Sequence, residues 1–166
     1  MRVLMSMLMF CALALGACGP STQQMRAAKL AQYTAAPNQL LDVAMQVAQR
    51  KYKIGPVNIA RSEFATESQW YNKEGGRISA YTDGKGEYVN AGGGDVQVTL
   101  IVAVRQVDSG RVVVDVTPKT FQLVSGSPKP RELAPDDPYL PPWVLGRADT
   151  LAFEIYEAAK NLFPTQ

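Results

Sequence analysis

The chain contains no histidine and only two cysteines, Cys11 and Cys18. Without imidazole there is no Ser-His or Cys-His nucleophilic pair, no zinc site built on histidine and no histidine-ligated haem. Charge of one sign is also missing: 17 Lys and Arg stand against 15 Asp and Glu. A surface that neutral lacks the basic footprint on which nucleic-acid binding rests. Beyond residue 17 no apolar run approaches the length of a membrane-spanning helix. Carboxylates are the remaining candidates for catalysis, and the only adjacent pair, Asp136-Asp137, lies in a proline-rich loop where solvent keeps both ionised. Ala91-Gly92-Gly93-Gly94 precedes a strand rather than a helix and lacks the Gly-Lys-Ser/Thr ending of a phosphate loop. These absences predict a protein that is not an enzyme and that carries no metal and no cofactor.

The N-terminus is the most legible part of the chain. Residues 1–15 hold one positive charge, Arg2, followed by an almost unbroken apolar run, which is the form of a secretory signal segment. Small residues follow, and then a cysteine: Leu15-Gly16-Ala17-Cys18. This tetrapeptide resembles the lipobox of bacterial lipoproteins. The resemblance implies that a diacylglyceryl group is attached to the Cys18 thiol, that the peptide is cut before it, and that the new amino group is acylated, palmitate being a typical chain. The plainer alternative is an ordinary signal cut after Ala17, which would leave a free thiol in an oxidising compartment; lipidation consumes it. Cys11 would leave with the signal. Gly19, where an Asp would signal inner-membrane retention in the enterobacterial sorting scheme, implies export to the outer membrane, with the body on the periplasmic face.

Removing 17 of the 166 residues leaves 149, enough for one domain. Residues 18–37, polar and then alanine-rich, read as a flexible tether, and residues 38–166 as a single α+β domain. Leu40, Leu41, Ala44, Val47 and Ala48 recur at helical spacing, which predicts a helix over 39–52 with Asn38 as its N-cap. Strand-like segments follow from Val57, with a shift of phase near Phe64, and Trp70-Tyr71 read as half-buried sheet surface. The strongest strand pair places Val96, Val98, Leu100, Val102 and Val104 on one face, turns at Asp108-Ser109-Gly110, and returns through Val112, Val114 and Val116. Residues 125–142 hold six prolines. A final helix over about 144–163 presents Ala148, Leu151, Ala152, Ile155, Ala159 and Leu162 as one stripe. The expected fold is an antiparallel sheet of four or more strands with N- and C-terminal helices on one face.

The order helix, strands, helix behind a lipobox is similar to the helix-grip domain of the β-barrel assembly accessory lipoprotein, through residues 40–51, 57–124 and 148–163. The likeness implies a non-catalytic accessory or scaffold subunit that docks onto an envelope complex. The alternative is a lipoprotein that binds a small apolar or envelope ligand between sheet and helices. For docking, the candidate contact is Tyr139, Leu140 and Trp143, where a stiff polyproline-like backbone carries large apolar side chains. The competing reading has Leu140 and Trp143 stapling the loop to the domain's own core. In that case the partner surface falls to the exposed sheet face around Gln97, Thr99 and Arg105.

Overall fold

A computed structural model describes residues 20–83, 88–108, 110–127 and 129–165. Among these residues it shows an α+β architecture in which three α-helices accompany an eight-stranded antiparallel sheet and a separate two-stranded one.

Within the expected tether, the described residues 20–37 are not extended chain throughout. Helix α1 runs Thr22–Leu30 and is started by a capping box: Ser21 N–H donates to Gln24 Oε1 (2.8 Å) and Gln24 N–H donates to Ser21 Oγ (3.2 Å). So short a helix is marginal alone, but Ala28 and Ala31 are buried and Lys29 pairs with Asp149 at 2.6 Å. Strand β1, Tyr33–Thr34, then joins the main sheet, and Tyr33 is 1% exposed. The thin apolar stripe of Met25 and Ala28 gives no sign from sequence that a second surface waits for it.

Helix α2 spans Pro37–Gln49 and buries Leu40, Leu41, Ala44, Val47 and Ala48, the stripe expected from spacing. Its N-cap is Ala36, with Pro37 in the first turn, so Asn38 is not the cap; its Oδ1 instead accepts from Ser62 Oγ at 3.3 Å. Strand β2, Ile54–Asn58, leads into a 3-10 turn over Ile59–Arg61, closed by Ser62 in the left-handed region (φ 50°). That turn accounts for the shift of phase expected near Phe64, in β3, Glu63–Thr66. Short strands β4 (Gln69–Tyr71), β5 (Arg77–Ile78), β6 (Tyr81–Thr82) and β7 (Tyr88–Val89) follow.

The long hairpin of β8 (Val96–Asp108) and β9 (Arg111–Gln122) is the spine of the sheet. Val96, Val98, Leu100, Val102 and Val104 are all buried, as the alternation predicts. Gly110 takes the positive φ (+94°) that the turn between them needs. β3 and β4 pair with β8, while β1 and β10 (Arg131–Leu133) pair with β9. Helix α3, Pro142–Ala159, closes the core with Val144, Ala148, Leu151, Ile155 and Ala159. It ends before 163, and Leu162 is 63% exposed rather than part of the stripe. Beyond it Pro164 O accepts from Thr34 N–H at 3.0 Å, so the C-terminal tail is tied to β1.

One apolar cluster joins Leu41 and Ala44 of α2, Leu151 and Ile155 of α3, and Val98, Leu100 and Val102 of β8. Trp70 lies in register with Gln97, on the opposite sheet face from Tyr71, which aligns with Val96. Both are buried rather than half-exposed: Tyr71 belongs to the main core, and Trp70 meets the Tyr88 ring edge-on at 5.3 Å.

Candidate functional site

Cys18, the lipidation candidate, lies outside the described residues, as does the whole lipobox. Helix α1 begins only four positions after it, so at about 3.3–3.6 Å per extended residue the covalent chain between them can reach about 14 Å at most.

The docking candidates Tyr139, Leu140 and Trp143 are separated by the fold. The loop that carries them is built on Asp137, whose N–H donates to Ala134 O (3.0 Å) and whose Oδ1 accepts from Tyr139 N–H (2.8 Å). Asp137 is therefore not a free loop carboxylate: it also faces Arg131 at 3.5 Å, while Asp136 stays exposed. Leu140 is buried in the main core. Trp143 Nε1 donates to Lys73 O (3.0 Å), and its ring lies 5.3 Å from that of Tyr71. A Cβ built on Gly75 would stand 3.0 Å from the Trp143 ring, so the indole closes directly over the 72–76 turn. Arg147 completes this clasp, with its guanidinium 4.3 Å from the Tyr71 ring and Nη2 donating to Gly75 O at 2.7 Å. Leu140 and Trp143 thus serve the protein's own packing, Leu140 buried and Trp143 half-buried. Tyr139 alone projects, 67% exposed, with Arg131 stacked 5.1 Å from its ring.

The fallback sheet face is also engaged. Thr99 Oγ1 is hydrogen-bonded to Ser68 Oγ (2.7 Å), Arg105 faces Asp115 (3.1 Å), and Gln97 is half-buried. A cavity of about 310 Å³ beside the C-terminal end of α2 is lined by Arg50, Lys51, Lys53 and Arg77 with Glu67. Most of its cations already have partners: Lys51 bonds to Glu154, Lys53 faces Glu67 at 3.8 Å, and Arg77 Nη2 donates to Lys51 O at 3.4 Å. Burial pushes the Tyr52 hydroxyl above its ordinary pKa, with the neighbouring Tyr71 adding to the effect and Arg147 opposing it.

Among the described residues no group of three or more Cys, Asp or Glu side chains is gathered as a metal site, and no helix is long and apolar enough to cross a membrane. Pro118 is different in kind. From sequence it is only an interruption of a strand; in the fold it lies between two surface cavities, of about 520 and 310 Å³, along β9. No protein-family model matches the chain, and no curated protein matches its sequence.

Proposed function

We propose that this protein is a lipid-anchored, non-catalytic lipoprotein of the bacterial outer membrane, facing the periplasm, that docks onto an envelope protein complex as an accessory or scaffold subunit. The observation that carries the reading is Leu15-Gly16-Ala17-Cys18 directly behind a short basic and apolar leader. Two or three acyl chains at Cys18, each gaining about 0.8 kcal/mol per buried methylene, would hold the body at the bilayer on cellular timescales. The short connection to α1 would keep that body close to the headgroups.

Radiolabelled palmitate and membrane fractionation test the anchor. The wild-type chain should take up label and sediment with outer membranes, and Cys18→Ser should lose the label and either leave the pellet or accumulate as uncut precursor. A Cys18→Ser chain that is still processed and fully membrane-bound would refute lipidation.

A further inference from the structure

Among the described residues, strands fill the outer edge of β9 only at its two ends. Tyr33 of β1 pairs with Val112, and Leu133 of β10 pairs with Thr120. Between them residues 113–119, seven positions or about 23 Å of strand, have no strand partner among the described residues on the side away from β8. The direction of the backbone groups follows from hydrogen bonds made elsewhere. Val104 N–H donates to Ser62 O and Leu100 N–H donates to Thr66 Oγ1, both on the β3 side. Their partners across the hairpin are Val114 and Pro118. These are therefore non-hydrogen-bonded pairs, and the backbone groups of Val114, Val116 and Pro118 point outward. The same parity puts Val112 and Thr120 opposite their outer strands. Two N–H and three C=O groups thus face the gap, and among the described residues no hydrogen bond to them is found.

The gap is lined by apolar side chains with charged ones among them. One cavity holds Val114, Val116, Pro118 and Leu145 beside Asp115 and the Lys29–Asp149 ion pair. The other, sharing Pro118 and Pro135 with it, reaches Ile101 and Leu133 beside Lys119 and Glu132. Two buried polar atoms without a partner lie near its ends: Thr120 Oγ1, and Gln32 Oε1 next to Tyr33.

We infer that this gap is a docking site for an extended peptide segment of a partner protein, which pairs as a strand with Val114 and Val116 in line with β1 and β10. The inference names the docking surface of the accessory role proposed above and rests on that reading. Backbone pairing would supply affinity, and the two cavities would select apolar side chains on alternate residues. A second copy of the chain does not fit. Its twelve-residue β9, laid antiparallel along this edge, would run into Tyr33 and Leu133. Pro118, which offers a carbonyl but no N–H, further disfavours edge-to-edge pairing with another sheet.

The probe is a random heptapeptide library displayed on phage, panned against the full chain purified in detergent. Enriched peptides should alternate apolar residues and lack proline at the pairing positions. Amide exchange at Val114 and Val116 should slow when such a peptide is added. Methylating alternate backbone nitrogens of the peptide, or introducing Val116→Pro, should weaken binding at least about tenfold, the loss expected for one or two ladder hydrogen bonds. If Val116→Pro fails to fold, the methylated peptides and the wild-type exchange data decide. No enrichment, peptides indifferent to methylation, or a dimer that Val116→Pro dissociates would each overturn the inference. A partner recovered equally well by folded Val116→Pro would overturn this edge and leave the docking role standing, whereas loss of the anchor is read separately with Cys18→Ser.

Discussion

The two edges of the β8–β9 hairpin have been treated differently. On the β8 side, β3 covers residues 101–103 and β4 covers 96–98. The two positions left between them are closed by side chains, Thr66 Oγ1 taking the Leu100 N–H and Ser68 meeting Thr99. On the β9 side, β1 and β10 leave seven positions between them, and among the described residues no side-chain hydrogen bond to the backbone of Val114, Val116 or Pro118 is found. A break in a sheet edge can thus be repaired locally when it is two residues long. A seven-residue break leaves outward-facing amides and carbonyls that only solvent or another strand can satisfy.

Mutations at matched positions sharpen that contrast. Leu100→Ala, on the closed side and 2% exposed, should cost about 2–5 kcal/mol in denaturant unfolding; a loss under about 0.5 kcal/mol, the range of surface changes, would mean that the sheet faces are reversed. Trp143→Ala should cost roughly 3 kcal/mol, near the low end for large aromatics, because the clasp over Tyr71 and the 72–76 turn goes with it. Tyr139→Ala, four residues away and exposed, should stay within about 0.5 kcal/mol. Similar losses at both positions would show the loop to be packed otherwise.

Thr66→Val should cost about 1–3 kcal/mol, since it strands the buried Leu100 N–H. Thr120→Val removes a buried hydroxyl that has no partner, and unfolding midpoints should show it neutral or slightly stabilising. If the two threonine variants behave alike, the proposed difference between the edges fails at the level of side chains.

The smallest effect is a pH dependence at one end of the open edge. Burial pushes the Tyr33 hydroxyl well above its ordinary value, with Tyr156 adding to the shift. Its folded-state pKa is raised, so the folded state holds the proton more tightly. The stabilisation is complete below the unfolded value of about 10 and is lost as pH rises above it. Thermal melts of the wild type should fall more steeply above pH 10 than those of Tyr33→Phe; parallel curves would show that Tyr33 ionises as freely in the folded chain as in the unfolded one.

The parts that periodicity could reveal are those in which one element carries its own burial pattern. The alternation of Val96, Val98, Leu100, Val102 and Val104, and the stripe of Leu40, Leu41, Ala44 and Val47, each state their buried face outright. The rest depends on distant neighbours. Helix α1 exists because α3 offers it a surface, and a nine-residue stretch with one buried alanine does not announce that. Trp143 and Tyr139 look alike as loop aromatics, yet the carbonyl of Lys73, seventy residues away, takes one of them inward. The open edge is illegible for the same reason: it is defined by where β1 and β10 stop, and Pro118 gives only a hint that this strand has an outer side.

Amide hydrogen exchange resolved by residue compares the two edges most directly in the free protein. Leu100 and Val104, whose N–H groups are bonded on the β3 side, should exchange slowly, as should Val113 and Asp115, which bond to β8. Val114 and Val116 should exchange orders of magnitude faster than their immediate neighbours, in strict alternation along one strand. Uniform protection from Val112 to Thr120 would show that the edge is already covered, and would contradict an open docking strand.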